Sequence, residues 1–101
     1  MGDPRGDPEG DPKLERQLED LFRQTGEAHH EAFIETGGED PEWSLWYADY
    51  TLDKLRELLD AEFTKSQLVY RLIRASNEQQ AKAPGADWAW YYSRFFLERY
   101  T

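Results

Sequence analysis

The chain has no cysteine in its 101 residues, so disulfide bonds and thiolate chemistry are excluded. It is also short of positive charge: 12 lysines and arginines face 21 aspartates and glutamates, for a net charge of -9. A nucleic acid or an anionic membrane surface would repel such a protein instead of exchanging counterions with it. No apolar run approaches the roughly 18 residues of a membrane-spanning helix, and the first residues lack the apolar core of a signal peptide. With only two histidines, a three-histidine zinc site is impossible, and the His-Glu-x-x-His pattern does not occur. No glycine-rich phosphate loop and no serine in a nucleophile elbow is present. The expectation is a soluble cytoplasmic protein with no nucleic-acid or membrane partner. No cofactor is indicated, and the balance is against an enzyme.

What is present is helix. Residues 1–12 repeat Gly-Asp-Pro units, whose prolines remove donors and whose glycines raise the cost of ordering, so a disordered tail is expected there. A single helical domain is expected over residues 13–101. Leu14, Leu18, Leu21, Thr25, Ala28 and Ala32 recur in steps of three and four, with Phe22, His29 and Phe33 along the edge, and Gly37-Gly38 should end this first helix in a left-handed cap. Gly26 inside it costs about 1 kcal/mol relative to alanine and marks a bend or a close helix contact. Asp40 as cap, Pro41 at the first helical position and Glu42 beside the positive end of the dipole start a second helix that runs to about Leu59. Thr64 and Gln67 form a capping box before a third helix, which Ala83-Pro84-Gly85 stops. Asp87 caps a fourth, from Trp88 to about Tyr100. Four helices with short connections predict an all-α antiparallel bundle, or two stacked helical hairpins.

Two segments echo each other. Residues 43–50 (Trp-Ser-Leu-Trp-Tyr-Ala-Asp-Tyr) align without gaps to residues 88–95 (Trp-Ala-Trp-Tyr-Tyr-Ser-Arg-Phe), and each follows an acidic cap. Upstream, Thr25-Gly26-Glu27 has a counterpart in Ser76-Asn77-Glu78.

The second helix carries two apolar faces at roughly 100° per residue: Trp43, Trp46, Tyr47 and Tyr50 on one, and Leu45, Ala48, Leu52, Leu55 and Leu59 nearly opposite. The aliphatic stripe is expected to face the core. The aromatic stripe then covers another helix, a partner or a ligand, and with Trp88 and Tyr92 of the fourth helix it forms the candidate binding surface. A homodimer or protein partner is the first expectation. A small-molecule or metal-binding bundle is the alternative, because Glu27 and His30 stand three residues apart on one helix face, with His29 next to them and Asp49 on the following helix. These four make the candidate metal set. Only one Glu-x-x-His occurs, against the pair of such motifs in helical di-metal carboxylate proteins. The bland alternative for His29 is a partly buried histidine with one hydrogen-bond partner.

The run His29-His30-Glu31-Ala32-Phe33 followed by Gly38-Glu39-Asp40-Pro41-Glu42-Trp43-Ser44-Leu45-Trp46-Tyr47-Ala48-Asp49-Tyr50 resembles a group of small bacterial helical proteins. These carry a Gly-x-Asp-x-x-Trp-x-x-Trp-Tyr-Ala-x-Tyr motif after a His-containing helix. Ala86-Asp87-Trp88, Tyr91-Tyr92 and the run from Arg94 to Tyr100 are similar to the C-terminal part of the same group, so the resemblance spans about residues 14–100. It implies a compact helical protein and directs attention to His29, His30, Trp43, Trp46 and Tyr47 as a set. It implies no catalytic role.

Overall fold

The computed structural model describes residues 12–100. The Gly-Asp-Pro segment lies outside the described residues except for Pro12, which opens the first helix, at a position where a missing N–H costs nothing. The helices are α1 (Pro12–Ala32), α2 (Trp43–Leu59), α3 (Lys65–Lys82) and α4 (Trp88–Tyr100). No strand occurs among the described residues. α1 packs on α2 and α4, and α3 packs on the same two, which closes a four-helix bundle. Ion pairs fix the sense of the α1 and α4 contact: Glu15 meets Arg94 at 3.7 Å and Arg23 meets Asp87, so the two run antiparallel. α3 and α4 are antiparallel as well, with Tyr91 donating to Glu78 at 2.9 Å and Arg71 lying over Tyr100.

The ends of the helices follow their local chemistry, with two departures. The Thr64 hydroxyl accepts the Gln67 N–H at 3.1 Å, and Gln67 Oε1 accepts the Thr64 N–H at 2.9 Å, which is the expected capping box. Asp87 Oδ1 accepts the Ala89 N–H at 3.1 Å. α1, however, stops at Ala32, before the glycine pair, and a short 3-10 helix (Ile34–Thr36) carries the chain onward. Gly37 and Gly38 then take left-handed φ values of 72° and 88°, so the expected cap closes this turn and not α1 itself. The second departure concerns Asp40 and Pro41. α2 begins at Trp43, because the Asp40 carboxylate accepts the N–H of Glu42 at 3.0 Å and holds residues 40–42 as a turn ahead of the helix.

The core is built on Leu18, Phe22, Leu55, Leu68, Leu72 and Phe96, all fully enclosed. Phe22 of α1 reaches α4, with its ring 5.6 Å from Tyr92 and 5.7 Å from Phe96. Three serine and threonine residues, Thr25, Thr51 and Ser93, are fully enclosed with them, and each hydroxyl is satisfied inside its own helix four residues back. Thr25 donates to Leu21 O, Thr51 to Tyr47 O and Ser93 to Ala89 O, at 2.7, 2.8 and 2.7 Å. So bonded, these side chains pack as small apolar groups and impose no demand on neighbouring helices.

Candidate functional site

The site begins with how α2 divides its surface. Its buried residues are Ser44, Ala48, Thr51, Leu55 and Leu59, a stripe that runs down the seam between the two apolar faces. The aliphatic face as a whole therefore does not point inward: Ala48, Leu55 and Leu59 do, whereas Leu45 is 43% exposed. The physical reason is that two small polar residues, Ser44 and Thr51, complete the seam, and Thr51 has already spent its hydroxyl on its own helix. On the other flank stand the four rings.

Those rings split into two groups. Trp46 and Tyr50 stack on each other, centroids 5.3 Å apart and planes 14° from parallel, and Tyr50 is 45% exposed. Trp43 and Tyr47 meet edge-to-face at 5.4 Å, and Tyr47 meets Trp88 of α4 at 6.2 Å. Trp88 in turn packs edge-to-face on Tyr92 at 5.3 Å. A file of rings thus leads from the surface into the core, each pair in the arrangement that the ring quadrupoles favour. Tyr92 is enclosed and supports the surface from beneath.

His29 is buried at the edge of this file, between Phe33, Trp46 and Tyr47, with ring centroids 4.7, 5.2 and 5.4 Å away. Its Nε2 lies 3.1 Å from Asp40 Oδ2. A carboxylate offers no proton, so the imidazole N–H is the donor. The same carboxylate holds the Glu42 N–H through its other oxygen, so Asp40 ties α1 to the entrance of α2. His29 is thus a buried histidine with one hydrogen-bond partner among the described side chains, closed over by rings.

The candidate metal set is not brought together. His29 is committed to Asp40, and Asp49 forms an ion pair with Lys65 at the start of α3. Only Glu27 and His30 share a space. Among the described residues no three His, Cys, Asp or Glu side chains gather closely enough to hold a metal ion. The reason is angular: His29 and His30 are adjacent on α1 and point about 100° apart, so one turns inward as the other faces out.

Glu27 and His30 instead line a cleft of about 570 Å³ bounded by α1 and the first turns of α2 and α4. Gly26, Tyr47 and Trp88 form its floor. Gly26 marks a close helix contact, as its position inside α1 suggested: a Cβ there would stand 3.0 Å from Trp88 Cζ2 and 3.5 Å from the Tyr47 hydroxyl. Burial, with a smaller contribution from Tyr92, pushes the Tyr47 hydroxyl up to about 12, so it is a neutral donor and acceptor at physiological pH. Arg23 closes one end through its bond to Asp87, whose carboxyl that guanidinium holds below the usual carboxylate range. Sequence reasoning did not single out Arg23 or the Asp40 partner of His29, because each pairs with a residue of another segment. The interior glycine was the one local signal for the cleft.

No membrane-spanning helix occurs among the described residues. No family model, curated protein or solved structure matches the chain, so its function rests on this geometry.

Proposed function

We propose that the protein is an interaction domain that uses the outward side of α2 for self-association or for binding a protein partner. The observation that carries this reading is the stack of half-buried Trp46 with exposed Tyr50, on a helix whose core contacts are already made elsewhere. Asp49 and Asp53 stand at the margin of this aromatic strip and separate it from the exposed Leu45 further round the helix. Aromatic residues inside a rim of charge are the composition of an interface centre. Trp43, Tyr47 and Trp88 fix the strip from behind, through the file of rings that ends at Tyr92. The metal reading is not carried further, since Asp49 and His29 have other partners. The resemblance to small bacterial helical proteins and a cytoplasmic location belong to the same proposal and bring no reaction with them.

Light scattering at micromolar concentration tests it. The expected mass is that of a dimer, and Trp46→Ala should weaken association about 30-fold, the effect of losing about 2 kcal/mol at a central tryptophan. A monomer whose tryptophans are all shielded from a soluble quencher would defeat the reading.

A further inference from the structure

We propose that the cleft between α1 and the N-terminal turns of α2 and α4 binds an aliphatic amine in its ammonium form. This site lies behind the outward strip of α2 and shares Tyr47 and Trp88 with its support, but it does not require that strip to be engaged. Its floor is apolar where an alkyl chain would lie, on Tyr47 and Trp88, and it stays open because residue 26 has no side chain. At its rim stand Glu27 and Glu31, one helical turn apart on α1 and exposed. Neither forms an ion pair or hydrogen bond within the described structure.

Among the described residues that line the cleft, the one lysine or arginine is Arg23, which is already bonded to Asp87, so these residues leave the negative charge of the rim uncompensated. The Tyr47 hydroxyl reaches the floor with no hydrogen-bond partner among the described residues and remains protonated, so its oxygen can accept a bond from an ammonium N–H. His30 packs against Gly38 on the remaining side, where a Cβ would come within 2.9 Å of its Nδ1. Carboxylates above, a hydroxyl acceptor within and aromatic walls around an alkyl-sized space are the features that select an organic cation over a hard metal ion. The net charge of -9 adds long-range attraction for the same class.

The test is a titration of the full chain with 1,4-diaminobutane at neutral pH, followed by the NMR signals of the Trp88 indole N–H and the Gly26 amide. Butane-1,4-diol serves as the neutral isostere, and magnesium chloride at matched ionic strength as the inorganic control. A saturable shift at both signals with the diamine alone is expected. Glu27→Gln combined with Glu31→Gln, both at exposed positions, should weaken it about tenfold without changing the thermal melt. Tyr47→Phe should weaken it by a smaller factor, and Trp46→Ala should leave it unchanged even where association is lost. An aliphatic ammonium can arrive as a free amine or as a lysine side chain. Nα-acetyl-lysine amide titrated beside the diamine separates the two: tighter diamine binding assigns a free amine, and tighter binding of the lysine derivative assigns a partner side chain. The site is overturned if the diol or magnesium reproduces the diamine shift, if the double Gln variant binds as the parent does, or if neither amine moves the Trp88 signal.

Discussion

The first two turns of α2 and of α4 have nearly the same pattern of residues, and the bundle treats several matched positions alike, although Tyr92 is enclosed where Tyr47 is half-buried and the last pair differs most. Trp43 and Trp88 are both half-buried, Ser44 and Ala89 both enclosed, Leu45 and Trp90 both 43% exposed, and Ala48 and Ser93 both completely buried. At the end they part: Tyr50 faces solvent, whereas its counterpart Phe95 is 2% exposed, beneath the Arg99 guanidinium at 3.7 Å. The difference teaches where the open surface comes from. α4 buries residues on several sides, Ala89, Tyr92, Ser93, Phe95, Phe96 and Leu97, whereas α2 buries one narrow stripe. Two helices with the same local signature are therefore used differently: α4 fills the core, and α2 leaves the stacked Trp46 and Tyr50 on its outward side.

The most forceful way to break this comparison is truncation at the diverging position. Phe95→Ala should cost about 3–5 kcal/mol in denaturant unfolding, the usual penalty for emptying a buried aromatic site. Tyr50→Ala should stay within about 0.5 kcal/mol, as exposed substitutions do, and should lower association instead. Equal losses at the two positions would erase the distinction drawn between the helices.

The upstream echo provides the next test. Gly26→Leu should destabilise by about 1–3 kcal/mol, because any side chain at residue 26 must push Trp88 aside. Asn77→Leu, at the matching and exposed position of α3, should be close to neutral in the same thermal melts.

The two tyrosines of the echo, Tyr47 and Tyr92, sharpen the comparison through pH. Both are raised above the ordinary tyrosine range by burial, Tyr47 to about 12. A raised folded-state value means that the fold favours the protonated form, so the stabilisation is complete below pH 10 and is lost as pH climbs from 10 toward 12. The loss attributable to Tyr47 should be about 1–2 kcal/mol, reduced from the full linkage value because the ring is only partly enclosed. Tyr47→Phe should flatten that part of the alkaline unfolding curve. A parent chain whose stability is level between pH 9 and 12 would contradict the burial assigned to this hydroxyl.

The smallest effect belongs to the acidic residues that precede the two helices. Asp87 is held below the carboxylate range first by the Arg23 bond and then by the Ala89 amide, so its stabilisation is present above about pH 4 and disappears as pH falls further. Asp87→Asn should produce a slight drop in Tm at neutral pH that vanishes in acid, since the pair is exposed. Asp40→Asn, at a buried bond to His29, should produce a larger drop.

The parts of this fold that could be read along the chain are those whose cause is local. The Thr64 and Gln67 box, the Asp87 cap and the stop at Ala83-Pro84-Gly85 each complete a hydrogen-bond requirement within a few residues, and each lies where the pattern placed it. Gly26 as a contact point was legible because a glycine inside a helix needs a reason. The inward stripe of α2 was not legible: Ser44 and Thr51 carry no hydropathy signal, and they are buried because α2, packed between α1 and α3, turns that side into the bundle. Asp40 looked like a cap and turned out to hold His29, a partner eleven residues away whose direction depends on how the glycine turn folds back. Asp49 looked available to a metal and is taken by Lys65 of the next helix.

By itself the sequence determined four helices, their punctuation and the concentration of rings in two short segments. These follow from hydrogen bonding and periodicity over a few residues. Only the tertiary structure decided which rings are enclosed, which carboxylates are partnered and where the cleft opens. Burial and pairing depend on what the neighbouring helices bring to each face, and the helix that carries a residue does not record that.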